Sequence, residues 1–445
     1  MTERSAGARR IAVVGSGVAG LSAAHVLRQR DEVTLYEADD RLGGHAHTHD
    51  VAAPDGRTLP VDTGFIVHNP RTYPLLTRLF DELGVASQET AMSMSVRCQG
   101  CGLEYAGAKG PRGLFASPRH ALRPAYLRMI AEVPVFHRRA LRLLATEPGP
   151  APGPAPGASS ATTPGTDHAA EATLGDFLRG NRFSAYFVAH FVTPLVSAVW
   201  SCAPETALRH PARPLFRFLE HHGMLSVGSS PTWRTVTGGS RTYVRRIAER
   251  LAAVHTSTPV RAVRRRGDGV ELATGDGEPR QYDAVVLAVH PDQALRLLDG
   301  PTEDERRVLG ALPYSRNSAL LHTDPAPLPR SRTARAAWNY LMPDCRTPTA
   351  HVRVSYDMNR LQRLDSPREH VVSLGAEDLV RPGSVLARMA YEHPLHTPES
   401  VAAQRRLPGL SRWPVAYAGA YHGWGFHEDG CRSGIEAART LGVSW

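Results

Sequence analysis

Six residues near the start of the chain, Gly15-Ser16-Gly17-Val18-Ala19-Gly20, have the types and spacing to hold a pyrophosphate. They follow the apolar run Ile11-Ala-Val-Val14 and open a segment with helical spacing. In such a turn Gly15 permits the tight bend, Gly17 lets phosphate approach the backbone, and Gly20 lets helix and strand pack closely. Glu37 closes the next apolar run, 22 residues after Gly15, where a carboxylate takes ribose hydroxyls. Together these predict a dinucleotide site. Ala38 follows the acid, and Arg41-Leu42-Gly43-Gly44 then adds a second glycine pair with further backbone N–H groups for phosphate, an addition typical of flavin nucleotides. Near the other end, the glycine-rich turn Gly419–Gly430 feeds a helix from about Gly430 to Leu441, whose N-terminus suits the charge that builds on a reduced flavin ring. FAD is the expected cofactor.

The elements that must position these residues are legible in the pattern. Ile11–Val14, a helix from Gly20 to Arg28 and the strand Val33–Glu37 make a βαβ unit. Arg71–Gly84 reads as a helix. Further strands are expected at Val260–Val263, Val270–Ala273 and Tyr282–Val289, the last as a central parallel strand, and Val415–Gly419 precedes the final turn. Ala121–Leu144 and Leu174–Trp200 are helical territory, the former read as a helix pair because Pro124 and Pro134 interrupt it. The fold class is α/β: a Rossmann-like parallel sheet assembled from three stretches (1–90, 226–300, 409–445), with a mixed α+β substrate domain in two (91–225, 301–408). Residues 148–170, almost all Pro, Gly, Ala, Ser and Thr, are expected to form a flexible insertion.

Further motifs narrow the match: Val61-Asp-Thr-Gly-Phe-Ile-Val-His-Asn69, Ser197-Ala-Val-Trp-Ser201, Thr237-Gly-Gly-Ser-Arg241, Val354-Ser-Tyr-Asp-Met-Asn-Arg-Leu-Gln362 and Gly425-Phe-His-Glu-Asp-Gly430. The chain resembles the superfamily of flavin-containing amine oxidases, protoporphyrinogen oxidases and phytoene desaturases. Within it, the chain is similar to predicted NAD/FAD-binding oxidoreductases related to the N-terminal part of plant cyclopropane fatty acid synthases. The resemblance implies that Gly15, Gly17, Gly20 and Glu37 hold the ADP half and that Gly43 and Gly44 approach the phosphates. It further implies that Gly64, Phe65 and Ile66 run beside the flavin ring, that the Val260 backbone meets adenine, and that Glu428–Gly430 cap the ribityl and pyrimidine end. Three positions depart from the family: His45 replaces an arginine, Ala420 replaces an acid, and Pro313–Leu321 lacks the lysine that many amine oxidases hold near the flavin. The sole lysine, Lys109, lies in a loop-like context.

That departure moves the expected reaction from amines toward hydride removal from a hydrophobic substrate, by resemblance a fatty acyl chain of a lipid. An amine oxidase, and a flavin-binding accessory protein of a lipid methyltransferase, are the alternatives. His68, His422 and Trp424 are the catalytic candidates. Composition bounds the rest. At 445 residues two cores are expected. No run of about 18 apolar residues spans a membrane, and the short polar start suggests a cytoplasmic protein with at most peripheral membrane contact. The net charge of +9 is carried by arginines spread along the chain, with the run Arg261–Arg266 on one hairpin, so no nucleic-acid partner is expected. No metal is expected either. Cys98-Gln-Gly-Cys101 is half of a zinc knuckle without a second pair and reads as a hairpin turn, and His45, His47 and His49 read as a polar strand beside the phosphates.

Overall fold

Ile11, Ala12 and Val13 are completely buried, as expected of a strand covered on both faces. In the computed structural model, which describes residues 7–146, 172–226, 228, 230–275, 277, 279–347 and 349–445, they lie at the centre of a five-stranded parallel sheet. Its order is Val415–Tyr417, Ala284–Leu287, Arg10–Val14, Glu32–Tyr36, Ala253–His255. Ile11 pairs with Ala284 on one side and Val33 on the other, so stretches from the start, middle and end of the chain form one sheet.

The first helix, Val18–Leu27, is buried at all ten positions. It is sandwiched between this sheet and the C-terminal helix, His427–Thr440, and glycines set the spacing. A Cβ at Gly20 would lie 1.9 Å from the Gly15 carbonyl oxygen, and one at Gly434 would lie 2.2 Å from that of Ala19. Here the two helices meet backbone to backbone.

The other layer is a seven-stranded mixed sheet in the order Val385–Pro394, Tyr314–His322, Val371–Leu374, Val354–Asp357, Trp338–Met342, Met94–Cys98, Glu104–Tyr105. Helices between residues 124 and 221 pack on it around Phe136, whose ring lies within 5.5–6.4 Å of those of Phe177, Phe183, Phe187, Phe191 and Phe216. No described helix is long and apolar enough to cross a membrane.

The structure corrects three boundaries. Pro124–Ala145 is one continuous 22-residue helix and not a pair. Pro124 sits in its first turn, where no N–H is needed, and Pro134 is accommodated inside it. The expected strand Tyr282–Val289 divides: Arg280–Tyr282 closes an antiparallel sheet with 260–266 and 269–274, and only Ala284–Leu287 joins the parallel sheet. The C-terminal helix starts at His427, which places Glu428, Asp429 and Gly430 inside its first turn. The arginine run forms the expected hairpin, with Arg264 and Arg266 paired to Glu271 and Arg265 to Glu305. The 148–170 insertion lies outside the described residues.

Candidate cofactor site

The site is built where two glycine loops touch at the carboxyl end of the parallel sheet, the edge at which open α/β sheets bind ligands. Gly15 leaves its strand with φ +98°, a conformation L side chains avoid, and a Cβ there would meet the Ala288 carbonyl at 2.5 Å. Gly44, at φ +55°, lies against the Gly17 Cα. A Cβ at Gly17 would meet nothing within 4 Å, so its face is open toward a ligand.

Side chains lock the loops together. Ser16 donates its N–H (2.9 Å) and its hydroxyl to the Glu37 carboxylate, which also accepts from the Asp39 N–H. The Gly43 N–H donates to the Ser16 Oγ at 3.0 Å, and the Arg41 guanidinium to the Gly44 carbonyl at 2.8 Å. Gly15, Gly17, Glu37, Arg41, Gly44, His45 and Gly64 are partly exposed, whereas Ser16, Val18, Ala19, Gly20 and Gly43 are buried. The exposed set outlines a groove. Ala38 follows Glu37 at its edge, and Thr258, two residues before Val260, donates its N–H to the Glu37 carbonyl.

At the far end of the groove a Cβ at Gly64 would lie 2.2 Å from the His45 carbonyl, which accepts from the Phe65 N–H. The Phe65 ring stacks on His427 at 3.8 Å, and Ile66 is buried beside it. Among the described residues, His68 Nδ1 and His427 Nε2, whose rings lie against Phe65, and Tyr421 Oη and His422 Nε2 in the 419–427 turn are buried polar atoms with no protein partner. Desolvation holds His68 and His422 down at about 4 and His427 at about 3, so all three are neutral at pH 7. Open backbone at one end and unpartnered polar atoms at the other fit an extended dinucleotide such as FAD.

The carboxylates of two of the expected residues are held by backbone N–H groups. The Glu428 carboxylate accepts from the Leu75 and Leu76 N–H groups (3.1 and 3.0 Å), capping the helix Pro74–Leu83. Asp429 accepts from the Trp424 and Phe426 N–H groups, fixing the turn before its own helix. Trp424 offers its carbonyl to Trp200 Nε1 and His396 Nε2, both at 3.1 Å. Gly419 hands its N–H to Ser433.

The sequence reading missed a polar cluster on the same edge. His45 lies near Tyr391 and His393, with ring centres at 5.0 and 5.4 Å. Asn317 Nδ2 donates to His393 Nδ1 at 3.0 Å, and Tyr314 stacks on His290, which pairs with Glu392 at 2.9 Å. Tyr314 and Asn317 thus occupy the stretch expected to hold a lysine. Lys109 is elsewhere, donating to the Arg335 carbonyl. One signal was available: His290 follows the parallel strand Ala284–Leu287 at its carboxyl end. The strand begins only at Thr48, and His47, which lies against His49 (4.1 Å), reaches at 2.9 Å the hydroxyl of the same Tyr391 that borders His45.

Asp62 ties three motifs together. Its buried carboxylate accepts from the Thr48 hydroxyl (2.6 Å), the Ser240 N–H and hydroxyl (3.0 and 2.7 Å), and Gln362 Nε2 (3.0 Å). Burial raises its pKa to about 6 in spite of these donors. Residues 61–69, 237–241 and 354–362 are therefore joined under the groove.

The sequence profile of the flavin containing amine oxidoreductase family matches residues 18–441. The chain belongs to that family. Its cofactor is FAD, and the groove fits it. Among curated relatives, a coproporphyrinogen III oxidase of Mycobacterium leprae is 27% identical over 65% of this chain and 61% of its own length. A carotenoid phi-ring synthase of Streptomyces griseus is 30% identical over 71% of this chain and 58% of its own. The chain thus spans about three fifths of the relatives it matches. Solved structures share the fold: putrescine oxidase bound to putrescine (TM-score 0.64, 16% identity, 97% of this chain and 98% of that one) and a CLA-producing fatty acid isomerase from P. acnes (0.66, 18%, 97% and 98%).

Proposed function

We propose that the protein is an FAD-dependent oxidoreductase that removes a hydride from a hydrophobic substrate, with a fatty acyl chain of a lipid as the favoured class. The observation that carries this is the wall beside the 419–427 turn. Phe218 stacks on Phe426 at 4.8 Å, and Trp200 and Trp424 pack on Phe218 at 4.7 and 5.6 Å. His222 and His396, pushed down to about 4 by burial, and His210, whose burial likewise holds it well down, complete it as neutral rings. Such a wall favours an apolar chain and excludes water from the reaction centre. Bound FAD supplies the hydride acceptor. The Phe65–His427 stack fixes the Gly64–Ile66 run that passes along the groove. His68 and His422, neutral at pH 7, can accept a proton or a hydrogen bond but do not serve as acids there. The fatty acid isomerase on the same fold is consistent with an acyl substrate.

The family match favours a second reading, an amine oxidase that makes an imine and peroxide. Lipid profiles of cells with and without the gene separate the two. The first reading expects altered acyl chains when methylated precursors are present; unchanged profiles together with turnover of an amine panel would replace it with the second. A flavin that neither class reduces, in a protein that co-purifies with a lipid methyltransferase, would indicate the accessory role.

A further inference from the structure

At the edge of the mixed sheet, beside its last two strands, four metal-ligating side chains from three distant parts of the chain converge. Cys98 ends a strand and Cys101 lies in the turn that follows it. His190 sits in a π-helical turn, Val188–Val192, and Cys345 follows the strand Trp338–Met342. The strands ending at Cys98 and Met342 pair in parallel, with those two residues in register, and the Gln99 N–H donates to the Met342 carbonyl at 2.8 Å. The sheet itself therefore delivers Cys345 to the turn that holds the other two cysteines. One ligand atom from each residue, three Sγ and an imidazole nitrogen, lies within 4.8 Å of every other.

We propose that Cys98, Cys101, His190 and Cys345 bind one zinc ion as a tetrahedral Cys3His centre. Cys98-Gln-Gly-Cys101-Gly102 has the shape of a zinc knuckle. The Gly102 N–H donates to the Cys98 carbonyl at 2.9 Å, with Gly102 at φ +71° closing the turn. Zn–S bonds near 2.3 Å and Zn–N bonds near 2.0 Å place sulfur and nitrogen ligands about 3.5 Å apart across a tetrahedron. The Cys101 Sγ–His190 Nε2 separation is 3.4 Å.

The imidazole is oriented for the metal by an independent contact. His190 Nδ1 lies 3.0 Å from the Tyr186 carbonyl, which can only accept. Nδ1 therefore carries the proton and Nε2 presents its lone pair to the cysteines, the arrangement that outer-shell partners impose on metal-bound histidines. The Tyr105 hydroxyl donates to the His190 carbonyl at 2.8 Å, and π-helical turns of this kind concentrate at functional positions. Arg123 donates to the Cys101 carbonyl at 2.7 Å, placing a cation beside what would be three thiolates.

Four protein ligands close the shell, so the ion would be structural, joining the sheet turn, the helical layer and the loop after Met342. Binding a Zn2+ ion would release the thiol protons, with no change in oxidation state. Cys98–Cys101 does form the expected turn, but the expectation of no metal rested on a missing second pair, and the further ligands lie 89 and 244 residues beyond Cys101, where no spacing rule looks.

The test uses the full chain purified with FAD under reducing conditions. Elemental analysis is expected to give one zinc per chain. After chelator treatment, Co2+ should restore one equivalent with tetrahedral ligand-field bands to the red of the flavin absorption. Cys345→Ser should lose the stoichiometric metal, whereas Cys202→Ala, which alters a buried cysteine outside the cluster, should keep it. Should Cys345→Ser fail to fold, the Co2+ titration of the unsubstituted chain decides alone. No uptake of either ion, a bound iron–sulfur chromophore, or a metal content unmoved in folded Cys345→Ser would overturn the assignment.

Discussion

Replacing Asp62 by asparagine removes a buried charge on which three segments of the chain converge. The native carboxylate is 1% exposed and accepts from Thr48, Ser240 and Gln362, yet desolvation outweighs those donors and lifts its pKa from 3.8 to about 6. A carboxyl raised on folding binds more protons in the native state than in the unfolded one. Its contribution to stability is therefore greatest at low pH and falls as pH rises through 4 to 6. At pH 5 the site is roughly nine-tenths protonated when folded and roughly nine-tenths ionised when unfolded, a linkage of about 1.4 kcal/mol relative to pH 7.5. The buried histidines act in the opposite direction, because their lowered pKa values favour the native state above pH 6.5 and lose that contribution as pH falls toward 4. They are common to both proteins and cancel in the difference. Urea midpoints of native and Asp62→Asn protein at pH 5 and pH 7.5, both with FAD, give the quantity. Native stability relative to the variant should drop by about 1.4 kcal/mol between those pH values. A constant difference, or one that grows with pH, would show that the donors win and the carboxylate is held ionised.

Three other perturbations probe the frame. Gly434→Ala puts a methyl 2.2 Å from the Ala19 carbonyl, so it should cost about 1–3 kcal/mol and reduce FAD occupancy, read by thermal unfolding and flavin absorbance; unchanged values would mean the helices slide apart freely. Glu428→Gln keeps one oxygen for the two N–H groups of Leu75 and Leu76, and a loss of roughly 1 kcal/mol in denaturant unfolding is expected. Phe136→Ala empties the centre of five phenylalanine rings and should cost about 3–5 kcal/mol, measured in the same way, with the flavin spectrum of the folded protein unchanged.

The cofactor half was legible because its chemistry is written in backbone. Glycines that permit a turn and a close approach must be glycine wherever they occur, and Gly15, Gly17, Gly20 and Gly44 meet in space as their spacing demanded. Glu37 likewise follows directly on its strand, Glu32–Tyr36, beside them. The acids at the C-terminal helix also make contacts within the chain that no local pattern encodes. Glu428 and Asp429 have the right type and place, but whether a carboxylate faces a ligand or caps a neighbouring helix depends on where that helix packs. The cluster of His45, His290, Asn317 and His393 comes from four segments, of which only those of Asn317 and His393 are paired strands, and no local pattern encodes it. The prolines of the long helix misled for a simpler reason: Pro124 breaks a helix interior but begins one without cost.

The most direct test of the account is the absorbance spectrum of the purified protein, recorded before and after anaerobic addition of acyl lipids and, separately, of amines. One FAD per chain, bleached stoichiometrically by an acyl lipid and left oxidised by the amines, is the predicted result. A protein that carries no flavin would contradict the cofactor site, and bleaching by amines alone would contradict the hydrophobic-substrate reading.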